Sequence, residues 1–313
     1  MEKLEFDTLI LGGGPAGLSA GIYTSRGNLS TGIIDTNMFG GQPSNYMELE
    51  NYPSYSIIGG YELMEKFEEH ADKFGVKKFP MQEIEQINLT SAPKIIKTKE
   101  FEFHGKTVII ATGAKPLKLG VKGEDEFLSR GVSYCAVCDG AFFKNEDVAL
   151  IGDANTALIY TLQLSSLCRK VYLLTLFDRF FGEQELVDAV KQKSNVEIHH
   201  NLALTKFIKD GDSLAGLEML NKESGDIETY AVKGCFISIG QIPDNKAFAD
   251  IVNLDEKGYI IADESCCTST EGIFVAGDCR TKKIRQLTTA ASDGAIAALA
   301  ANSYIDRVVR PVV

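Results

Sequence analysis

The feature that most constrains this chain is a strand that breaks into glycine, FDTLILGGGPAGLSAGIYTSRG, followed by STGIIDT. A short apolar run, a Gly-rich turn, an apolar helical face and a second apolar run make one βαβ unit. In GGGPAG, Gly12 permits the tight turn, Gly14 lets the backbone approach a pyrophosphate at the helix N-terminus, and Gly17 lets helix and strand pack closely. Asp35 closes the next strand, where an acid accepts a ribose hydroxyl. With strand, turn, helix and distal acid in register, the segment predicts a dinucleotide site rather than a merely Gly-rich turn.

The pattern recurs. EDVALIG, the helix-like NTALIYTLQLSSL and KVYLLTL form a second βαβ unit, and 313 residues suffice for two domains. The expected fold class is α/β, with two Rossmann-like three-layer nucleotide-binding domains, the second inserted into the first. GYELMEKFEEHADKFG reads as an amphipathic helix, KTVIIATGAKP as a buried strand, and LTKFIKD, LAGLEML and DIETYAV as an antiparallel meander. Near the C-terminus, GIFVAGDC feeds an Ala-rich helix, which makes sense if the chain returns to complete the first domain. The expected limits are 1–113 and 243–313 for the first domain and 114–242 for the insertion. Gly- and Pro-containing connections at both junctions suit hinges.

A net charge of −11 argues against nucleic-acid or anionic-membrane partners, because a phosphate polymer would be repelled over most of the surface. No apolar run reaches the length of a membrane span, and the first residues lack a cationic flank and cleavage site, so a cytoplasmic location is expected. Seven cysteines in that compartment do not suggest a disulfide framework. Only Cys135 and Cys138 are spaced as a reactive dithiol, in which a thiolate attacks and the second sulfur resolves the mixed disulfide. Asp139 follows directly, placed to move a proton on or off a thiol. Cys168, Cys235, Cys266, Cys267 and Cys279 read as small buried hydrophobes or idle surface thiols. No metal site is expected, since a second CxxC or a Cys/His pair at ligand spacing is missing.

Taken together, GGGPAG, Gly40-Gly41-Gln42, ENYP, IIATGA, CAVCDG and GIFVAGDCRTKKIRQ resemble the low-molecular-weight thioredoxin reductase family over essentially the full chain. The resemblance implies bound FAD, with Gly12, Gly14, Pro15, Ala16, Gly17 and Asp35 around its ADP half. Gly40, Gly41, Gln42, Asn51, Thr112, Gly277, Asp278, Arg285 and Gln286 then stand where the family contacts the rest of the cofactor. It further implies Cys138 as the flavin-proximal sulfur, Cys135 as the sulfur that attacks a thioredoxin disulfide, Asp139 as acid/base, and a homodimer.

The second turn departs from the family. Where relatives read much like GGGDSA and bind NADPH pyrophosphate, this chain has Gly152-Asp153-Ala154-Asn155-Thr156-Ala157. Ala154 adds a methyl where the backbone should touch phosphate, and Asp153 adds negative charge where an anion should bind. The family's HRRxxxR clamp on the 2′-phosphate corresponds to Thr175 through Phe181, with Leu176, Phe177 and Phe181 at the arginine positions. Losing two charge-assisted contacts of roughly 1.5 to 3 kcal/mol each weakens phosphate binding by about two to four orders of magnitude.

The expectation is therefore that NADPH is not the donor, and the chain resembles the ferredoxin-dependent flavin thioredoxin reductases within the family. Another donor (a second flavin or a divergent NAD(P)H site) and a non-enzymatic redox sensor stay open as alternatives. For ferredoxin docking, Arg280, Lys282, Lys283 and Arg285 are the densest basic group, although a solvated loop with a flavin contact also explains them. Phe177, Phe180 and Phe181 are expected to fill the vacated pocket as core, with stacking on another ring as the alternative.

Overall fold

The computed structural model describes residues 1–46 and 48–309. The chain divides into two compact units: 1–48, 52–115 and 242–313 form the first, and 49–51 with 116–241 form the second. These limits differ by two residues or fewer from the expected junctions, except that Leu49–Asn51 groups with the second unit.

In the first unit the strands Lys77–Phe79, Thr31–Ile34, Glu2–Leu11, Phe101–Ile110, Lys94–Thr98 and Ile84–Asn88 lie side by side in that order. Ile273–Val275 pairs in parallel with Val108–Ile110, while the earlier part of the same long strand pairs antiparallel with Lys94–Thr98. One strand thus accepts both a hairpin and the returning C-terminal chain. Alternation sorts its core. Ile10, Ile33, Ile109 and Phe274 pack on one face with the helices Pro15–Arg26 and Leu287–Tyr304, and Leu9, Leu11, Val108, Ile110 and Val275 pack on the other. The antiparallel strands Ile84–Asn88 and Lys94–Thr98 had no counterpart in the sequence reading; their alternation is short and interrupted by Pro93.

The second unit carries a parallel sheet in the order Val196–His199, Lys170–Leu174, Asp147–Ile151, Gly234–Ile237, Val132–Ser133. Val148, Leu150, Val171, Leu173 and Phe236 bury against the helix Asn155–Leu167 on one face. Ala149, Ile151, Leu174 and Ile237 face the antiparallel meander Leu202–Asp210, Ser213–Asn221, Ile227–Tyr230 on the other. No helix among the described residues is long and apolar enough to cross a membrane.

Candidate active site

Two glycines carry the first turn. Gly12 has φ of +110°, and a Cβ there would meet the Ala111 carbonyl oxygen at 2.3 Å; a Cβ on Gly17 would meet the Gly12 carbonyl oxygen at 1.8 Å. Only glycine fits either position. Pro15 opens the helix Pro15–Arg26 with Gly14 as its cap, and no side chain caps the first-turn amides. The nearest atom to a Cβ on Gly14 is Gly41 Cα at 3.8 Å, so the backbone there stays approachable. Asp35 accepts from the Gly13 amide at 2.6 Å and the Asn37 amide at 2.8 Å, which fixes the carboxylate at the end of its strand and leaves it further lone pairs.

Later in the sequence, but beside the same helix start, where a Cβ on Gly277 would meet Ala16 Cβ at 2.8 Å, the segment Gly277 to Arg280 turns between the strand Ile273–Val275 and the helix Leu287–Tyr304. Asp278 Oδ1 is buried with no hydrogen-bond partner, and burial pushes the carboxyl up to about 6 against the pull of Lys282 and Arg285. A buried orphan acceptor suits a ligand hydroxyl. Gln286 caps the long helix in a reciprocal box with Thr289. Gln42 donates through Nε2 to the Ala114 carbonyl, and Thr112 Oγ1 donates to Asn245 Oδ1 at 3.3 Å. Asn51 falls in the segment grouped with the second unit, while Gly40, Gly41, Gln42, Thr112, Gly277, Asp278, Arg285 and Gln286 belong to the first. The glycine cradle and the orphan carboxylate oxygen fit a dinucleotide such as FAD.

The basic loop is a correction. Arg280 is only 2% exposed and grips Asp293 with Nε to Oδ2 and Nη2 to Oδ1, both at 2.9 Å. Lys282 is half-buried, with its side chain 7% exposed, and donates to Asp293 Oδ2 at 2.8 Å. The half-buried Arg285 stacks its guanidinium 4.1 Å from the Tyr259 ring centroid. Of the four expected docking cations only Lys283 is exposed, so the group is no basic patch. Asp293, which the sequence reading missed, consumes two of them.

In the second unit Cys135 and Cys138 form a disulfide with Cα atoms 5.3 Å apart. Cys135 precedes the single turn Ala136–Asp139, and the Cys138 amide donates to Cys135 Sγ at 3.2 Å. Once the pair is reduced, that donor favours charge on Cys135. Asp139 is buried, and burial pushes its carboxyl up to about 6, opposed by a hydrogen bond from Ser133 Oγ to Oδ2 at 2.5 Å. A carboxyl titrating there can both give and take protons near neutrality. Ser133 also accepts from the Cys135 amide at 3.0 Å. The sequence reading passed over Ser133 because nothing in its spacing marks it.

The remaining cysteines fit their bland reading. Cys168, Cys235, Cys266 and Cys279 are buried and Cys267 is exposed. Burial pushes Cys168 up to about 11 and Cys266 to about 12, so these thiols stay protonated. No cluster of three potential metal ligands occurs among the described residues.

The second turn is occupied by its own chain. Asn155 Oδ1 accepts from the Glu183 amide at 2.7 Å, Asn155 Nδ2 donates to Glu183 Oε1 at 2.9 Å, and the Phe181 amide donates to the Asp153 carbonyl at 2.7 Å. Phe181 to Glu183 therefore lies against the first turn of the helix Asn155–Leu167. The expected core filling holds for one of the three phenylalanines. Phe180 packs on the buried cluster and meets His200 edge-on at 5.0 Å, but Leu176, Phe177 and Phe181 are 40%, 45% and 54% exposed. Phe177 and Phe181 form an edge-to-face pair at 5.2 Å, with Arg179 over Phe181. Folding the segment back on the helix turns these rings outward.

Two nucleotide-binding-type units, one with a Gly-rich dinucleotide turn and one with a redox disulfide beside a buried acid, define a disulfide oxidoreductase. A family model described as pyridine nucleotide-disulphide oxidoreductase matches residues 6–294. A thioredoxin reductase of Listeria monocytogenes is 36% identical over 305 residues, covering 97% of this chain and 95% of the relative. A "34.2 kDa protein in rubredoxin operon" of Clostridium pasteurianum is 34% identical, covering 97% and 98%. The crystal structure of thioredoxin reductase from Streptococcus pyogenes superposes with a TM-score of 0.91 at 37% identity, covering 97% of this chain and 99% of that one. The chain belongs to the pyridine nucleotide-disulphide oxidoreductase family.

Proposed function

We propose that this enzyme reduces the disulfide of a thioredoxin through Cys135 and Cys138, with electrons that reach FAD from reduced ferredoxin rather than from NADPH. The observation that carries the donor assignment is the second turn, where apolar, outward-facing Leu176, Phe177 and Phe181 stand in place of a cationic clamp. Asp153 adds a carboxylate that burial already penalises as an anion, with no cation paired to it among the described contacts. Leu176, Phe177 and Phe181 themselves offer a 2′-phosphate no charge-assisted donor, and the cations beside them, Arg179 and Lys222, lie over the Phe181 and Phe177 rings.

The flavin would be held by Gly12, Gly14, Pro15, Ala16, Gly17 and Asp35 at one end and by Gly40, Gly41, Gln42, Asn51, Thr112, Gly277, Asp278, Arg285 and Gln286 along the rest. When bound, it accepts electrons singly or in pairs and supplies two to the disulfide. Two electrons and two protons convert the Cys135–Cys138 bond to two thiols. The Cys135 thiolate then attacks the thioredoxin disulfide, and the Cys138 thiolate displaces the product, which leaves as a dithiol and restores the starting bond. Asp139 gives and recovers the proton at the sulfur. Each thioredoxin consumes two one-electron ferredoxins, and a fall of about 130 mV between typical couples supplies roughly 6 kcal/mol. Five cysteines outside the pair, four of them buried and unpaired, suit a reducing cytoplasm. Homodimerisation rests on the family resemblance.

A pyridine nucleotide donor is the second reading, favoured by the retained strand Asp147–Ile151 and helix Asn155–Leu167 and by the family match that spans them. The test is anaerobic thiol release from thioredoxin with photoreduced ferredoxin, NADPH or NADH as sole donor. Release with ferredoxin alone, abolished in Cys135→Ser, is expected. Release with NADPH and none with ferredoxin would overturn the donor assignment.

A further inference from the structure

We propose that Ser133 is a positioning residue for the thiol chemistry, its hydroxyl holding Oδ2 of Asp139 while accepting the Cys135 amide, so that Oδ1 is the oxygen left to exchange a proton with a sulfur. The inference rests on the dithiol part of the proposed function and on neither the donor nor the protein substrate. Ser133 is buried in the strand Val132–Ser133, whose parallel pairing with Gly234–Ile237 sets Phe236 opposite it. Its place is therefore fixed by a sheet rather than by a loop.

The hydroxyl has one proton and two acceptors within reach, Asp139 Oδ2 at 2.5 Å and the Cys135 carbonyl at 3.3 Å. While Asp139 is ionised the proton goes to the carboxylate, because a charge-assisted bond is the stronger. When Asp139 carries its own proton it can donate to Ser133, and the hydroxyl turns toward the Cys135 carbonyl. Both protonation states then keep their buried polar groups paired. In either state the Cys135 amide donates to the same oxygen at 3.0 Å, which ties the backbone of the attacking cysteine to the acid.

The surroundings leave this hydroxyl as the one polar lever on the carboxyl. Burial and Ser133 are the causes acting on Asp139, and no charged side chain is among them. The turn Gly140–Phe143 carries no ionisable residue, and the helix Asn155–Leu167, whose Leu164 and Leu167 pack on Gly140, has Tyr160 alone. The strand Gly234–Ile237 has Cys235, which burial keeps neutral. Tyr134, between Ser133 and Cys135, donates to the buried Glu124 Oε1 at 2.8 Å, and neither is among the causes acting on Asp139.

The experiment is alkylation of the chemically reduced holoprotein by iodoacetamide across pH, with the Cys135 peptide followed by mass spectrometry. Wild type is expected to show an inflection from Asp139 at about 6. Ser133→Ala should raise it by about one pH unit, a tenfold gain in proton affinity, because a donor to the ionised form is lost. Ser133→Thr, which keeps the hydroxyl, should restore the wild-type position, and Asp139→Asn should remove the inflection. Ser133→Gly serves as a second hydroxyl-free variant if the alanine form does not fold, with circular dichroism as the check. A Ser133→Ala or Ser133→Gly profile that superimposes on wild type, in a folded protein, overturns the proposal. An unchanged profile in Asp139→Asn overturns instead the acid/base assignment on which it rests.

Discussion

Arg280 and Asp293 hold each other through two hydrogen bonds of 2.9 Å inside the first unit, and Asp293 takes two further donors, the Gly277 amide at 3.1 Å and Lys282 at 2.8 Å. One carboxylate on the long C-terminal helix thereby fastens the turn that presents Asp278. Burial alone would raise the Asp293 carboxyl, but the hydrogen bonds from Arg280 and Lys282 outweigh it and hold it below the ordinary range.

Removing that carboxylate strands two buried cations. Asp293→Ala is expected to cost about 3 to 5 kcal/mol in urea unfolding followed by circular dichroism. A group with a depressed folded pKa contributes stability above its unfolded value, so the difference between variant and wild type should shrink as pH falls below about 4. The measurement is the unfolding midpoint of both proteins between neutrality and pH 3.

Asp139 has the opposite sign. Its folded pKa of about 6 lies above the ordinary carboxyl value of 3.8, so the folded state binds the proton more tightly and loses stability as pH rises through that window. Two units correspond to about 3 kcal/mol at most. Asp139→Asn should therefore raise the Tm above pH 6 by an amount that vanishes toward pH 4. The same variant should slow disulfide reduction by about 10² to 10⁴. A thermal scan across pH beside a single-turnover assay checks both.

Outward and inward phenylalanines on one short segment should respond differently. Phe177→Ser and Phe181→Ser remove half-exposed rings and should change stability by less than about 1 kcal/mol. Phe180→Ala, which empties a place against the helix and His200, should cost about 2 to 4 kcal/mol. Denaturant midpoints of the three variants give the comparison.

Much of this arrangement was legible in the sequence because glycine and alternation are hard constraints. Gly12 and Gly17 could be assigned from position alone, since a turn of that shape excludes a Cβ. The returning strand Ile273–Val275 followed from a continuous apolar run that ends in Gly-Asp before a helix, and the meander from alternating apolar segments. What escaped notice depended on partners distant in sequence or on direction. The basic run Arg280 to Arg285 looks like a surface patch until Asp293, nearly two turns into the next helix, pairs with Arg280 and Lys282. Ser133 is an ordinary serine until the strand and the short helix bring it to Asp139. Phe177 and Phe181 are apolar residues whose exposure is set by the Asn155 and Glu183 hydrogen bonds, which no periodicity encodes.

If apolar replacement is what disables the clamp, restoring charge should revive it. Leu176→Arg combined with Phe177→Arg is expected to tighten binding of 2′,5′-ADP by about 10² to 10⁴, at roughly 1.5 to 3 kcal/mol per contact. Binding of 5′-ADP, which lacks the 2′-phosphate, should change far less. Titration calorimetry with the two nucleotides separates the effects.

The donor assignment is tested most directly by mixing the yellow holoprotein anaerobically with excess NADPH and, separately, with reduced ferredoxin, and following the flavin absorbance. Loss of colour within the mixing experiment with ferredoxin, and its persistence with NADPH, is the result expected from the apolar second turn. Rapid bleaching by NADPH would contradict it.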